Sequence, residues 1–217
     1  MDLKNLKINF LGDSITEGCG ASDFSKGYVN LIHEKYGAVC RNYGVGGSRI
    51  ARQQGLDEYL GSNRDYVMRA QEMDLDADLV SVFGGTNDFG HGNVPLGTFE
   101  DRDVFTFYGA LHTLCIYLLT NFTKSQLMII TPFHRLNEEN GCMDYNGNLK
   151  PDLETYVNAI RKVAEYYSIP VLDLYANSGI QPNVPSIKET YMPDGLHPND
   201  LGYELLADKI AKFIQAL

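Results

Sequence analysis

The sequence predicts an α/β fold built on a parallel sheet with helices on both faces. Three observations carry this. Short apolar or β-branched runs recur along the 217 residues. Longer segments with helical spacing alternate with them, and no repeat, low-complexity tract or linker divides the chain. Such alternation favours parallel strands joined by right-handed crossovers.

The runs are Lys7 to Leu11, Ala38 to Tyr43, Leu79 to Phe83, Gln126 to Thr131 and Pro170 to Leu174. Each reads as a strand buried on both faces. Helical spacing links Tyr28, Leu31, Ile32 and Tyr36, then Phe107, Leu111, Leu114 and Leu118, then Tyr156, Ile160, Val163 and Tyr167. A last helix is expected from Leu201 to Ile214. Two connections, Phe89 to Asp103 and Pro132 to Pro151, are longer than α/β units usually need. Both follow strands, so both fall at the carboxyl-end face of the sheet, where open α/β proteins bind ligands.

The length fits one domain, residues 1–217, with one core as the default. With 44% hydrophobic and 21% charged residues and no tryptophan, the composition is that of an ordinary globular protein. The formal net charge is −10, from 18 Lys and Arg against 28 Asp and Glu. No basic cluster interrupts it, so nucleic acid is not an expected partner. No run approaches membrane-spanning length, and no apolar leader precedes the first strand. Membrane insertion is therefore not expected, and the cytoplasm is the expected compartment. Cys19, Cys40, Cys115 and Cys142 lack C-x-x-C spacing and read as free thiols, Cys115 in the core and Cys19 near Ser14.

Ser14, in Gly12-Asp13-Ser14-Ile15-Thr16-Glu17-Gly18, stands where the first strand ends and the chain turns. A serine hydroxyl is a weak nucleophile at neutral pH and needs a base, itself oriented by a third group. His197 is the best base available. Asp194, three residues earlier, can accept from its Nδ1–H and leave Nε2 free to face Ser14. Pro198 then reads as the first residue of the last helix. Attack on an ester carbonyl creates an oxyanion that needs preorganised donors. Three candidates follow the first three strands: the Ser14 N–H, a backbone N–H in the glycine-rich stretch Gly44 to Ser48, and the Asn87 side-chain amide of Gly85-Thr86-Asn87-Asp88.

These four segments resemble the sequence blocks of the SGNH hydrolases, the GDSL esterase/lipase family. A GDS block, a glycine block, a G-x-N-D block and a D-x-x-H-P block occur in the family's order from Asp13 to His197. Ile15 stands where leucine gives the family its second name. By position, the resemblance implies nucleophile Ser14, base His197, supporting Asp194 and oxyanion donors Gly47 and Asn87, which with the Ser14 N–H complete the expected oxyanion hole. Gly46 and Gly47 are adjacent, so either N–H could point inward; counting from Asn42 favours Gly47.

Other residues have plainer readings. Asp13 is read as holding the turn around Ser14, with a metal-ligand role as its alternative. Asp88 is read as a helix cap or loop anchor, and His33 and His112 as structural. His91 and His134, on the long loops, divide equally between substrate contact and solvated loop. Arg135 is read as a surface ion pair, with binding of an anionic substrate group as its alternative. Tyr43, Phe89, Phe133 and Tyr191 could line a pocket or pack in the core.

The expected protein is a three-layer α/β/α sandwich with a five-stranded parallel sheet of flavodoxin-like order. It hydrolyses small-molecule carboxylic esters, short acyl or acetyl esters and those on carbohydrate included, through an acyl-serine intermediate without cofactor or metal. A metal-dependent phosphoesterase using Asp13, Asn87, Asp88 and His197 is one rival. A catalytically silent ligand-binding module on the same fold is the other.

Overall fold

A computed structural model describes residues 1–55 and 65–217. Five strands, β1 (Lys7–Gly12), β2 (Val39–Gly44), β3 (Leu79–Phe83), β4 (Gln126–Ile130) and β5 (Val171–Leu172), form one sheet in the order β2-β1-β3-β4-β5. Every pairing is parallel. The chain thus enters at β1, builds one edge, then crosses back to build the other. The carboxyl ends of β1 and β3 adjoin at this reversal, which is where such sheets open a crevice.

The helices are α1 (Ser14–Glu17), α2 (Tyr28–Tyr36), α3 (Tyr66–Ala70), α4 (Thr86–His91), α5 (Phe107–Asn121), α6 (Leu153–Tyr166), α7 (Leu174–Asn177), α8 (Pro185–Tyr191) and α9 (Asp200–Ala216). Because side chains alternate across a strand, each central strand feeds two cores. Val80 and Val82 of β3 join Leu127 and Ile129 of β4 beneath α3, α5 and α6. Leu79, Phe83, Met128 and Ile130 point the other way, into the core covered by α2 and α9. The result is the expected three-layer α/β/α sandwich.

Three expectations need correction. β2 is an edge strand with no fully buried residue, because only β1 pairs with it. β5 keeps two half-buried residues rather than five, being the opposite edge. The last helix begins at Asp200, not Pro198, because the Asn199 side chain accepts from Gly202 N at 3.0 Å and caps it there.

The short helix α3 clamps the site end of the sheet. Its Arg69 is 5% exposed and donates to the carbonyls of Gly12 in β1 and Tyr43 in β2 and to Ser48 Oγ. Tyr66 OH donates to the Phe83 carbonyl of β3 at 2.9 Å. One turn of helix therefore ties together the ends of the three strands that carry the serine, glycine and asparagine blocks.

Candidate active site

β1 delivers Ser14 through a turn with no room for a side chain at Gly12, where a Cβ would lie 1.8 Å from Thr16 Oγ1. Asp13 caps α1, its Oδ1 accepting from Ile15 N at 3.0 Å. Ser14 opens α1 with its N–H ahead of the helical ladder, and 7% of the residue is exposed.

His197 approaches from the segment between α8 and α9. Its Nε2 lies 3.0 Å from Ser14 Oγ, and its Nδ1 lies 2.7 Å from Asp194 Oδ2. The other carboxylate oxygen of Asp194 accepts from the N–H groups of Leu196 at 2.8 Å and His197 at 2.7 Å. Burial pulls the Asp194 pKa upward, but those two N–H groups and the His197 ring outweigh it and hold the carboxyl below its ordinary value. An ionised Asp194 requires Nδ1 to be the donor, which leaves the Nε2 lone pair to accept from Ser14 Oγ–H.

Gly20 sets where His197 can stand. A Cβ there would lie 2.7 Å from His197 Cβ and 2.6 Å from the Pro198 carbonyl, and its φ is +91°. On the other side, Leu136 N donates to Gly195 O at 2.9 Å, fastening the histidine turn to the long segment after β4.

The glycine block is tied to the end of β1, Val45 N donating to Gly12 O at 3.1 Å, and packs against α1, where a Cβ at Gly44 would lie 2.2 Å from Glu17 N. Gly46 N donates to Glu17 Oε2 at 2.7 Å. Gly47, at φ +74°, turns the chain, and among the described residues its N–H has no acceptor. Glu17 belongs to none of the sequence's candidate site residues; only this contact with the glycine block gives its carboxylate a role.

Asn87 sits in the first turn of α4, 4% exposed. Its Nδ2 donates to Ser48 O at 3.0 Å, and its Oδ1 lies 2.9 Å from His91 Nε2. Asp88 anchors the loop after the glycine block, its two oxygens accepting from Ile50 N at 3.0 Å and Ala51 N at 2.9 Å. Lys150, 3% exposed, donates to the Asp88 and Gly92 carbonyls and so pins α4 from the second long connection.

Burial raises two carboxyls at this end of the sheet. Asp13 is pushed up to about 7, burial and the nearby Asp88 charge outweighing the Ile15 N–H and Arg69. Asp88 is raised to about 6 by burial, against its two N–H donors, Lys150 and Arg49. Both carboxyls are committed to backbone N–H groups. Among the described residues, no group of three or more His, Cys, Asp or Glu side chains could hold a metal ion.

The remaining candidates divide. Arg135 is not a surface ion pair. It is half-buried, donating through Nη1 to the Thr86 carbonyl and hydroxyl, both at 3.2 Å, with its guanidinium 5.6 Å from the Phe89 ring centre. His134 pairs with Glu138 at 2.9 Å and lies 4.0 Å from the Tyr175 ring centre. His33 Nδ1 meets Ala38 O at 2.7 Å, and His112 Nδ1 meets Tyr167 OH at 2.9 Å, as structural histidines do. Phe89 and Phe133 are core residues, whereas Tyr43 and Tyr191 are half-buried. All four cysteines are free, with Cys115 buried.

The model of the GDSL-like lipase/acylhydrolase family matches residues 10–205. A crystal structure of a chain 35% identical to this one, covering 100% of it and 99% of that chain, superposes with a TM-score of 0.86. A protein from Lactobacillus plantarum is 30% identical over 98% of both chains, with a TM-score of 0.83. A two-domain esterase active on acetylated mannans is 19% identical, covering 99% of this chain and 50% of that one, with a TM-score of 0.61. No curated protein matches the chain. Its matched span takes in all four sequence blocks and the sheet that carries them; the chain belongs to the GDSL-like lipase/acylhydrolase family, a membership that supports hydrolysis of esters.

Proposed function

We propose that this protein is a serine esterase that cleaves short-chain carboxylic esters through an acyl-enzyme on Ser14. The observation that carries the reading is the continuous hydrogen-bond chain from Ser14 Oγ through His197 to Asp194, with contacts of 3.0 and 2.7 Å. Ser14 Oγ attacks the carbonyl carbon while His197 Nε2 takes its proton. The tetrahedral oxyanion accepts from the Ser14 and Gly47 N–H groups and the Asn87 amide. Collapse breaks the bond to the alcohol oxygen, which leaves with the proton from His197. Water then repeats the sequence and releases the acid. Asp194 stabilises the imidazolium in both halves.

Gly47, rather than Gly46, is assigned the donor role because Gly46 N–H is spent on Glu17. An acetyl or other short acyl group is favoured because the sequence offers no long apolar segment to serve as a lipid lid. Acetylated carbohydrate is the first alcohol class to test, as a structural relative acts on acetylated mannans. The test is steady-state kinetics on acetyl, butyryl and long-chain aryl esters and on acetylated sugars, for the wild type and Ser14→Ala. Ser14→Ala should lose about 10³-fold or more in kcat, with the acetyl or butyryl ester the best aryl substrate. Undiminished activity in Ser14→Ala would overturn the mechanism, and a preference for the long chain would overturn the acyl assignment.

A further inference from the structure

The proposed oxyanion hole depends on which way the Asn87 carboxamide faces, and the residues around it determine this. Its Nδ2 carries two hydrogens, of which one goes to Ser48 O at 3.0 Å. A carbonyl can only accept, so the nitrogen must lie on that side. Its Oδ1 lies 2.9 Å from His91 Nε2, one helical turn further along α4. That contact is favourable only if His91 carries its proton on Nε2. Arg49, from the loop after the glycine block, presents Nη2 to His91 Nδ1 at 2.5 Å. A guanidinium can only donate, so Nδ1 must be the bare nitrogen and Nε2 the protonated one.

We propose that Arg49 and His91 are positioning residues that hold Asn87 with its second amide hydrogen aimed at the oxyanion. The chain runs Arg49 Nη2–H to His91 Nδ1, His91 Nε2–H to Asn87 Oδ1, and Asn87 Nδ2–H to Ser48 O. One donor remains over, and among the described residues no acceptor takes it. With the opposite tautomer, two acceptors would face each other at 2.9 Å and the carboxamide would lose its anchor. Although the residue as a whole is exposed, desolvation of the ring first, then the charges of Arg49, Arg135 and Lys150, lower the His91 pKa to about 4, in keeping with the neutral ring that the Arg49 and Asn87 contacts require. Neither residue touches the reacting atoms. Each acts through Asn87, so the effect belongs in kcat.

This inference rests on the esterase reading, and the experiment separates the two. His91→Ala, His91→Gln, Asn87→Ala and His91→Ala/Asn87→Ala are compared by kcat and KM on one short-chain aryl ester. Removing an oxyanion donor costs ~10²–10³-fold in kcat, so His91→Ala, which loosens that donor, should cost about 10- to 100-fold with KM little changed. Glutamine four residues on from Asn87 can donate to Oδ1 as the imidazole does, so His91→Gln should recover most of the loss. In the Asn87→Ala background, adding His91→Ala should cost nothing further. If Asn87→Ala lowers kcat and His91→Ala does not, the positioning role is wrong and the esterase mechanism stands. An effect confined to KM, absence of rescue by glutamine, or additive losses in the double variant would equally overturn it. If Asn87→Ala leaves kcat unchanged, the oxyanion assignment falls, and this inference with it.

Discussion

Gly20→Ala tests how closely the backbone sets the histidine. A Cβ at Gly20 would sit 2.7 Å from His197 Cβ and 2.6 Å from the Pro198 carbonyl oxygen, whereas contacts under 3.4 Å are already uncommon. Relieving the first contact requires about 0.7 Å of separation, and the second partner is backbone, which cannot swing aside. Were His197 to take up that movement along its bond to Ser14, the 3.0 Å contact would open to about 3.7 Å, beyond hydrogen-bonding range. Misplacement on the order of 1 Å can cost ~10²-fold in rate, so kcat should fall by roughly that factor. The variant also pays for alanine at positive φ, on the order of 1–2 kcal/mol. Gly179→Ala separates the two costs. Gly179 has φ +77° and nothing within 4 Å of its would-be Cβ, so it should lose similar stability and keep its kcat. Thermal unfolding and aryl acetate hydrolysis on both variants provide the readings. If Gly20→Ala turns over as fast as Gly179→Ala, the reasoning about His197 is refuted.

Two further outcomes follow from the same end of the sheet. The Asp13 carboxyl titrates near 7 when folded and near 3.9 in an unfolded chain, so the folded state holds the extra proton in between. Stability from this group is full below pH ~4 and is lost as pH rises through about 7. Asp13→Asn, which can still accept from Ile15 N, should therefore show a smaller fall in Tm from pH 5 to 8 than the wild type; an equal fall would refute the assignment. Glu17→Ala frees the Gly46 N–H and loosens the turn that presents Gly47. It should lower kcat by about tenfold, within what one weakened oxyanion donor costs, while Glu17→Gln, which keeps an acceptor, should stay near wild type.

Much of this architecture is legible in the chain because it rests on local signals. The apolar runs at Leu79 to Phe83 and Gln126 to Thr131 are strands in the structure, since a central parallel strand is apolar on both faces. The same rule misreads the run Ala38 to Tyr43, because strand order, which no local run encodes, puts β2 at the edge. Helices α3, α4 and α7 run four to six residues, too short for periodicity to register. They are held by tertiary contacts such as Arg69 to Gly12 and Tyr43 and Lys150 to Gly92.

The site divides in the same way. Ser14, Asn87, Asp194 and His197 stand out because their residue types and block spacing match a chemical task, and the fold brings Ser14 to His197 across 183 residues of sequence. Gly20, Glu17, Arg49 and Lys150 do not stand out. Their roles lie in what they touch, and a glycine against His197 Cβ or a lysine under α4 has no signature until the chain is folded. In sequence His91 divides equally between substrate contact and solvated loop, and its contact with the Asn87 carboxamide becomes visible only in the folded chain.

The central claim, that Ser14 is a nucleophile activated by His197, is tested most directly by covalent capture. The intact protein is incubated with a fluorophosphonate, digested and mapped by mass spectrometry, alongside His197→Ala. One adduct per chain is expected, on Ser14, with labelling of His197→Ala slowed by orders of magnitude. An adduct on a different serine, or labelling of Ser14 at an undiminished rate without His197, would contradict it.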